Sequence, residues 1–96
     1  MKVFISDSGW VEVHDPNNKE THLQGFYNLK DVKEGTGFIV VQLKSGKVEV
    51  YDYHLNLLAH QVFKDIKEIQ ANDNIEIISE KGEHRFYDKH LKTISA

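Results

Sequence analysis

Phe38–Asp52 reads FIVVQLKSGKVEVYD, and its three parts decide the fold. An unbroken apolar run, Phe38-Ile39-Val40-Val41, leads into the polar turn Lys44-Ser45-Gly46 and then into the alternating stretch Lys47-Val48-Glu49-Val50-Tyr51. Alternation of β-branched and aromatic residues with polar ones marks a strand with two unlike faces. A glycine between two such runs suits a hairpin turn, where the backbone needs positive φ. Asp52 ends the second run, where its carboxylate is expected to form an Asx-turn with the backbone two residues on.

The same pattern recurs along the chain. A shift of 37 residues lays Val3 on Val40, Ser8 on Ser45, Gly9 on Gly46, and Val11-Glu12-Val13 on Val48-Glu49-Val50. The same shift lays Asp15 on Asp52, Gln24 on Gln61, Phe26 on Phe63 and Lys30 on Lys67. A third copy begins near Ile75, with Val40 and Val41 falling on Ile77 and Ile78. One residue is then lost in the glycine turn, after which Gly46, Tyr51, Asp52, His54 and Leu55 match Gly82, Tyr87, Asp88, His90 and Leu91 at a shift of 36. Recurrence at such a period points to stacked like units that bury their apolar faces on one another. The expectation is a single domain over residues 1–96, with units at 1–37, 38–74 and a partial 75–96.

The second half of each unit reads two ways. Leu55, Leu58, Val62, Ile66 and Ile69 fall at helical spacing over His54–Gln70. The matching stretch of the first unit holds Pro16, Asn17, Asn18 and Gly25, which break a helix. Equivalent segments should fold alike. We therefore expect a third strand near Glu20–Phe26 and Leu57–Phe63, then short helical turns at Leu29–Val32 and Ile66–Ile69. The fold class is mainly β: an antiparallel meander of about two and a half tandem units of about 37 residues, in a small rolled sheet or a barrel-like or blade-like stack.

Alternation assigns two faces to the second strand of each unit. Val11 and Val13, Val48 and Val50, and His84 and Phe86 form the expected core face, completed by Phe26, Leu29, Phe63 and Ile66. The opposite face carries Trp10, Glu12 and His14, then Lys47, Glu49 and Tyr51, then Glu83, Arg85 and Tyr87.

The chain carries a formal net charge of −3 and no basic stripe, so nucleic acid is not an expected partner. No apolar run approaches the roughly 20 residues that span a bilayer, and Met1–Trp10 does not resemble a signal peptide, so no membrane association and a cytoplasmic location are expected. Cysteine is absent, which excludes disulfides and thiolate metal sites. The histidines 14, 22, 54, 60, 84 and 90 show no close metal-binding spacing and read as turn and surface residues, with His84 on the core face. Glu12 and Glu49 occupy matching places and read as parts of a solvated strand face, beside Lys47 or Arg85. The serines 6, 8, 45, 79 and 95 fall at turns or ends, and no G-x-S-x-G elbow or phosphate loop occurs. Catalytic residues, metal and cofactor are therefore all expected to be absent.

Ser45–Asp52 followed by Phe63-Lys64-Asp65-Ile66-Lys67-Glu68-Ile69 resembles the bacterial WG (tryptophan-glycine) repeat proteins. Their units have a similar length and a similar G-x-x-x-x-x-D core. The resemblance covers nearly the whole chain, although the Trp-Gly pair is missing: Gly9-Trp10 stands in reverse order, with Lys47 and Glu83 at the matching places. It implies a β-repeat interaction module; a shortened propeller blade is the competing description.

Aromatic and Arg side chains are the usual anchors of binding surfaces. The candidate binding residues are Trp10, Glu12, His14, Glu49, Tyr51, Tyr53, Arg85 and Tyr87. The expected partner is a protein or a second copy in a homodimer, because open strand edges invite pairing. Small-ligand or carbohydrate binding on the same aromatics is the alternative, and an acid-pair hydrolase a third reading.

Overall fold

The computed structural model describes residues 2–6, 9–15 and 20–94. The strands are β1 (Lys2–Ile5), β2 (Trp10–Asp15), β3 (Glu20–Gly25), β4 (Leu29–Gly35), β5 (Phe38–Leu43), β6 (Lys47–Tyr51), β7 (Leu57–Val62), β8 (Ile66–Ala71), β9 (Ile75–Ser79) and β10 (His84–Tyr87). They form three antiparallel sheets: a first of β1-β2-β3, a middle of β4-β5-β6-β7 and a third of β8-β9-β10. No helix occurs among the described residues. The sheets are separate, so the expected rolled or barrel-like closure does not occur. The turn residues Asp7 and Ser8, the breakers Pro16, Asn17 and Asn18, and Ser95 lie outside the described residues.

The apolar run of β5 explains the layering. Successive side chains of a strand point to opposite faces, and Phe38, Ile39, Val40 and Val41 are all buried. Phe38 and Val40 join Val48 and Val50 against Ile66, Ile69, Ile75 and Ile77 of the third sheet. Ile39, Val41, Val32 and Tyr51 pack against Val11 and Val13 of the first. The middle sheet therefore has a core on each side. Each fully buried aliphatic side chain stabilises the stack by roughly 1.5–3 kcal/mol.

The three hairpins share one register. Lys2↔His14 and Ile5↔Val11 in β1–β2 become Ile39↔Tyr51 and Gln42↔Val48 in β5–β6, then Ile75↔Tyr87 and Ile78↔His84 in β9–β10. The first step is 37 residues and the second 36. The residue is lost at the tip of the β8–β9 turn, not in the glycine turn: Val32 corresponds to Ile69 but Ile39 to Ile75. The structural counterpart of Val41 is thus Ile77 rather than Ile78.

Two other expectations change. Leu29–Val32 and Ile66–Ile69 belong to strands β4 and β8, not to helical turns. A register shift lies between Leu29 and Asp31, and its counterpart between Ile66 and Glu68. A bulge adds one residue on one strand, so side chains three apart reach the same core, and the spacing imitates a helix. His84 and Phe86, expected in the core, are exposed at 53% of the side chain and 37% respectively. They point away from the stack, on the side of the third sheet that no described sheet covers.

The turns recur with the strands. The N–H of Gly9, Gly46 and Gly82 donates to the carbonyl of Ser6, Leu43 and Ser79, at 3.1, 3.0 and 2.9 Å. All three glycines have φ between 84° and 94°. At Gly46 a Cβ would also stand 2.6 Å from the Phe63 carbonyl oxygen, whereas at Gly82 it would meet nothing within 4 Å. Asp52 and Asp88 form the expected Asx-turns. Asp52 Oδ1 accepts from the amides of His54 and Asn56, both at 2.9 Å. Asp88 Oδ1 accepts from those of His90 and Lys92, at 2.8 and 3.0 Å. Asp15 ends β2, and the turn after it lies outside the described residues. Leu55 and Leu91 follow these turns with φ of 60° and 57°. A left-handed backbone costs a non-glycine residue about 1–2 kcal/mol; both side chains join the cores, Leu91 fully and Leu55 partly, which offsets it.

Gly82→Ala should cost about 1–2 kcal/mol through backbone conformation alone, and Gly46→Ala measurably more, through the added clash; equilibrium urea unfolding of both variants checks the order. Burial pushes the Asp52 carboxyl up, but the Asn56 backbone and side chain, the His54 amide and the His54 charge outweigh it and hold it below its ordinary value. The Lys92 amide leads in holding the exposed Asp88 low, helped against slight desolvation by the His90 amide and the His90 and Lys92 charges. Depressed native values mean that the stability lent is whole above the unfolded value, about 3.9, and is lost as pH falls through the native ones. Unfolding free energy should therefore drop below about pH 4, and less steeply in the Asp52→Asn, Asp88→Asn double variant, which keeps the turn acceptors and removes their charge.

Candidate interaction face

Trp10, Glu12 and His14 alternate along β2 with Val11 and Val13. Because the valines face the middle sheet, these three lie on the outer face of the first sheet. Antiparallel pairing sets Phe4 and Leu23 on either side of Glu12, and Thr21 beside His14. Phe4, Trp10 and Leu23 are 51%, 48% and 58% exposed. Three large apolar side chains thus share one open sheet face.

The face is held in place by its own contacts. The Phe4 and His14 rings meet edge to face with centroids 5.1 Å apart. His14 Nε2 lies 3.2 Å from Glu12 Oε1, and His14 Nδ1 lies 3.3 Å from Thr21 Oγ1. A neutral imidazole protonated on Nε2 meets both partners, donating to the carboxylate and accepting from the hydroxyl. The Trp10 indole covers Gly25, where a Cβ would stand 3.3 Å from the ring. Glycine opposite Trp10 lets the indole lie flat along the sheet.

The other candidate residues do not join this face. Tyr51 is buried between the first and middle sheets, edge to face with Phe26 at 5.5 Å. Tyr87 is buried between the middle and third sheets and meets Phe63 in the same way at 5.4 Å. Both were expected on the non-core face, either open for binding or packed against the third strand or a partner. Alternation assigned them to the correct side, but in a stack that side is covered by the preceding sheet. Glu49, expected in solvent, is half-buried beside Tyr51 and pairs with Lys47 at 3.6 Å. The Tyr53 hydroxyl donates to the Gly35 carbonyl at 2.6 Å and accepts from the Gly37 amide at 3.1 Å, which ties it to the β4–β5 turn. Arg85 is exposed on the third sheet, 3.7 Å from Glu83. It borders a groove of about 320 Å³ with Phe63, Lys64, Asp65 and Lys81, where charges of both signs mix.

Glu12 and Glu49 stand on opposite sides of the first sheet, so they face no common cleft. His22 and His54 join the first and middle sheets, with Nε2 and Nδ1 3.1 Å apart and rings edge to face at 4.9 Å. Among the described residues no three metal-ligating side chains converge. No described helix is long and apolar enough to cross a membrane.

Sequence reading missed Phe4 and Leu23. Both sit in short strands whose register with β2 was needed to bring them beside Glu12. The alternation Thr21-His22-Leu23-Gln24 carried a signal for Leu23 once β3 was granted.

Comparison with protein-family models returns no match, and comparison with curated proteins returns no significant one.

Burial raises the Tyr51 hydroxyl, the Glu49 charge and its hydrogen bond add to this, and a hydrogen bond from Gln24 opposes it; the pKa is pushed up to about 12. A raised native value means stability is whole below the unfolded value, about 10, and is lost as pH rises through the native one. Unfolding followed between about pH 9 and 12 should show a falling free energy, with a flatter slope in Tyr51→Phe.

Proposed function

We propose that this chain is a non-enzymatic tandem β-repeat module, akin to the WG repeat proteins, that binds a protein partner through the outer face of its first sheet. The observation that carries this reading is the exposure of Phe4, Trp10 and Leu23 around Glu12 on one sheet face. Contiguous apolar patches rimmed by polar groups are typical of contact sites, and aromatic anchors supply most of the energy at such sites. Glu12, between Phe4 and Leu23, is hydrogen-bonded to His14, and His14 to Thr21, so that docking leaves these polar groups partnered within the face. The tandem arrangement is supported by the shared hairpin register and by the recurring glycine and aspartate turns. A cytoplasmic location completes the proposal.

The face is wide open, so its side chains should matter more for contact than for folding. Leu23→Ala should change unfolding free energy by no more than about 0.5 kcal/mol, and Trp10→Ala, whose half-buried indole covers Gly25, by about 1–2 kcal/mol. Both should abolish retention of a partner that the wild-type protein, immobilised, takes from a lysate. A loss of about 3–5 kcal/mol for Trp10→Ala is the cost of emptying a core and would overturn the reading.

A further inference from the structure

The outer faces of the first and third sheets are the two halves of a contact that the molecule already makes twice. In register, Val11 and Val13 correspond to Val48 and Val50, and these to His84 and Phe86. The four valines are fully buried because the next sheet covers them. His84 and Phe86 point the same way and are open. At the other end Phe4, Glu12 and His14 correspond to Val41, Glu49 and Tyr51, which lie on the side of the middle sheet that rests on the first.

We propose that the partner is a second copy of this chain, docked head to tail. Ile78, His84 and Phe86 of one copy lie against Phe4, Trp10 and Leu23 of the next, continuing the stack with its own geometry. This rests on the interaction-module reading and adds the partner's identity. Each surface sets aromatic and aliphatic side chains beside a carboxylate and an imidazole: Phe4, Trp10 and Leu23 around Glu12, and Phe86 and Ile78 beside Glu76 and His84. The first sheet carries Glu12 beside His14 at 3.2 Å; the third carries Glu76 beside His84 at 2.6 Å and, through its register with Ile78, the exposed Glu68 of strand β8. The carboxylates nearest the apolar side chains, Glu12 and Glu76, each have a hydrogen-bond partner on their own surface, and Glu68 lies on β8, the edge strand of the third sheet, at the margin of the contact. The two surfaces differ, so the contact is heterologous, and copies add in a row instead of closing into a symmetric pair.

Light scattering and sedimentation up to about millimolar concentration test this. The wild-type weight-average mass should climb past that of a dimer without a plateau. Trp10→Asp and Phe86→Asp should each be monomeric. An equal mixture of the two should form a one-to-one pair and stop there, because each variant keeps the half that the other lacks. Circular dichroism confirms that the variants fold; Leu23→Lys, at a 58% exposed position, replaces Trp10→Asp if that one does not. A monomeric wild type at all concentrations overturns the proposal. So does association lost in Trp10→Asp but kept in Phe86→Asp, which would mean a symmetric contact through the first sheet. In both cases a foreign protein retained through Trp10 would leave the interaction-module reading standing. Failure of both assays overturns the two together.

Discussion

A strand that is apolar on both sides must be covered on both sides. Phe38-Ile39-Val40-Val41 imposes that condition, and the three-layer arrangement answers it. Two residues face each way, and neither pair reaches water. Once this segment lies in the middle, the remaining alternating strands have one choice of orientation each. Val11 and Val13 must turn toward it from one side, and Ile75 and Ile77 from the other. A one-residue slip in any of these ladders would exchange core and solvent side chains along the whole strand.

Apolar contact alone does not specify how one sheet sits on the next. Polar and aromatic contacts near the edges supply that. Phe26 on Tyr51 and Phe63 on Tyr87 are the same edge-to-face pair at successive layers, with interplanar angles of 71° and 70°. At another edge the Thr36 amide donates to the Asn72 carbonyl at 2.8 Å, and the Thr36 hydroxyl to Asp73 at 2.9 Å. Gly35 allows this approach: a Cβ there would stand 2.8 Å from the Asn72 carbonyl oxygen and closer still to the Phe38 ring. His22 with His54 and Gln24 with Tyr51 fasten the first layer to the middle one.

The strands of the glycine-closed hairpins, the glycine turns and the Asp52 and Asp88 turns were legible because each rests on local chemistry: alternation, positive φ, a short acceptor side chain. The third strand of the first two units was also legible, since Pro16, Asn17, Asn18 and Gly25 argued against the helix that Leu55–Ile69 imitates. Two kinds of information were not local. The bulges at Leu29–Asp31 and Ile66–Glu68 alter side-chain facing only through the partner strand, so a spacing of three read as helical. The fate of the faces depends on how many layers lie on each side. Tyr51 and Tyr87 look like open aromatics until a preceding sheet is set on them, and Phe86 looks buried although no described sheet covers it. Of the candidate residues, Trp10, Glu12 and His14 were placed together correctly because they share one strand, on a face that no described sheet covers.

The shortened tip between β8 and β9 shows where this architecture tolerates change. Asn72, Asp73 and Asn74 make a three-residue tip where the corresponding turn, with Thr36 and Gly37, has two residues after one further strand pair. Losing a residue there moved no side chain from one face to the other, since the deletion was absorbed before the next hairpin began. Length variation is therefore harmless at the tips and ruinous within the glycine-closed hairpins. Layers with different tip lengths can be joined in series without any re-patterning of their strands, and such a chain can evolve by adding or trimming whole layers.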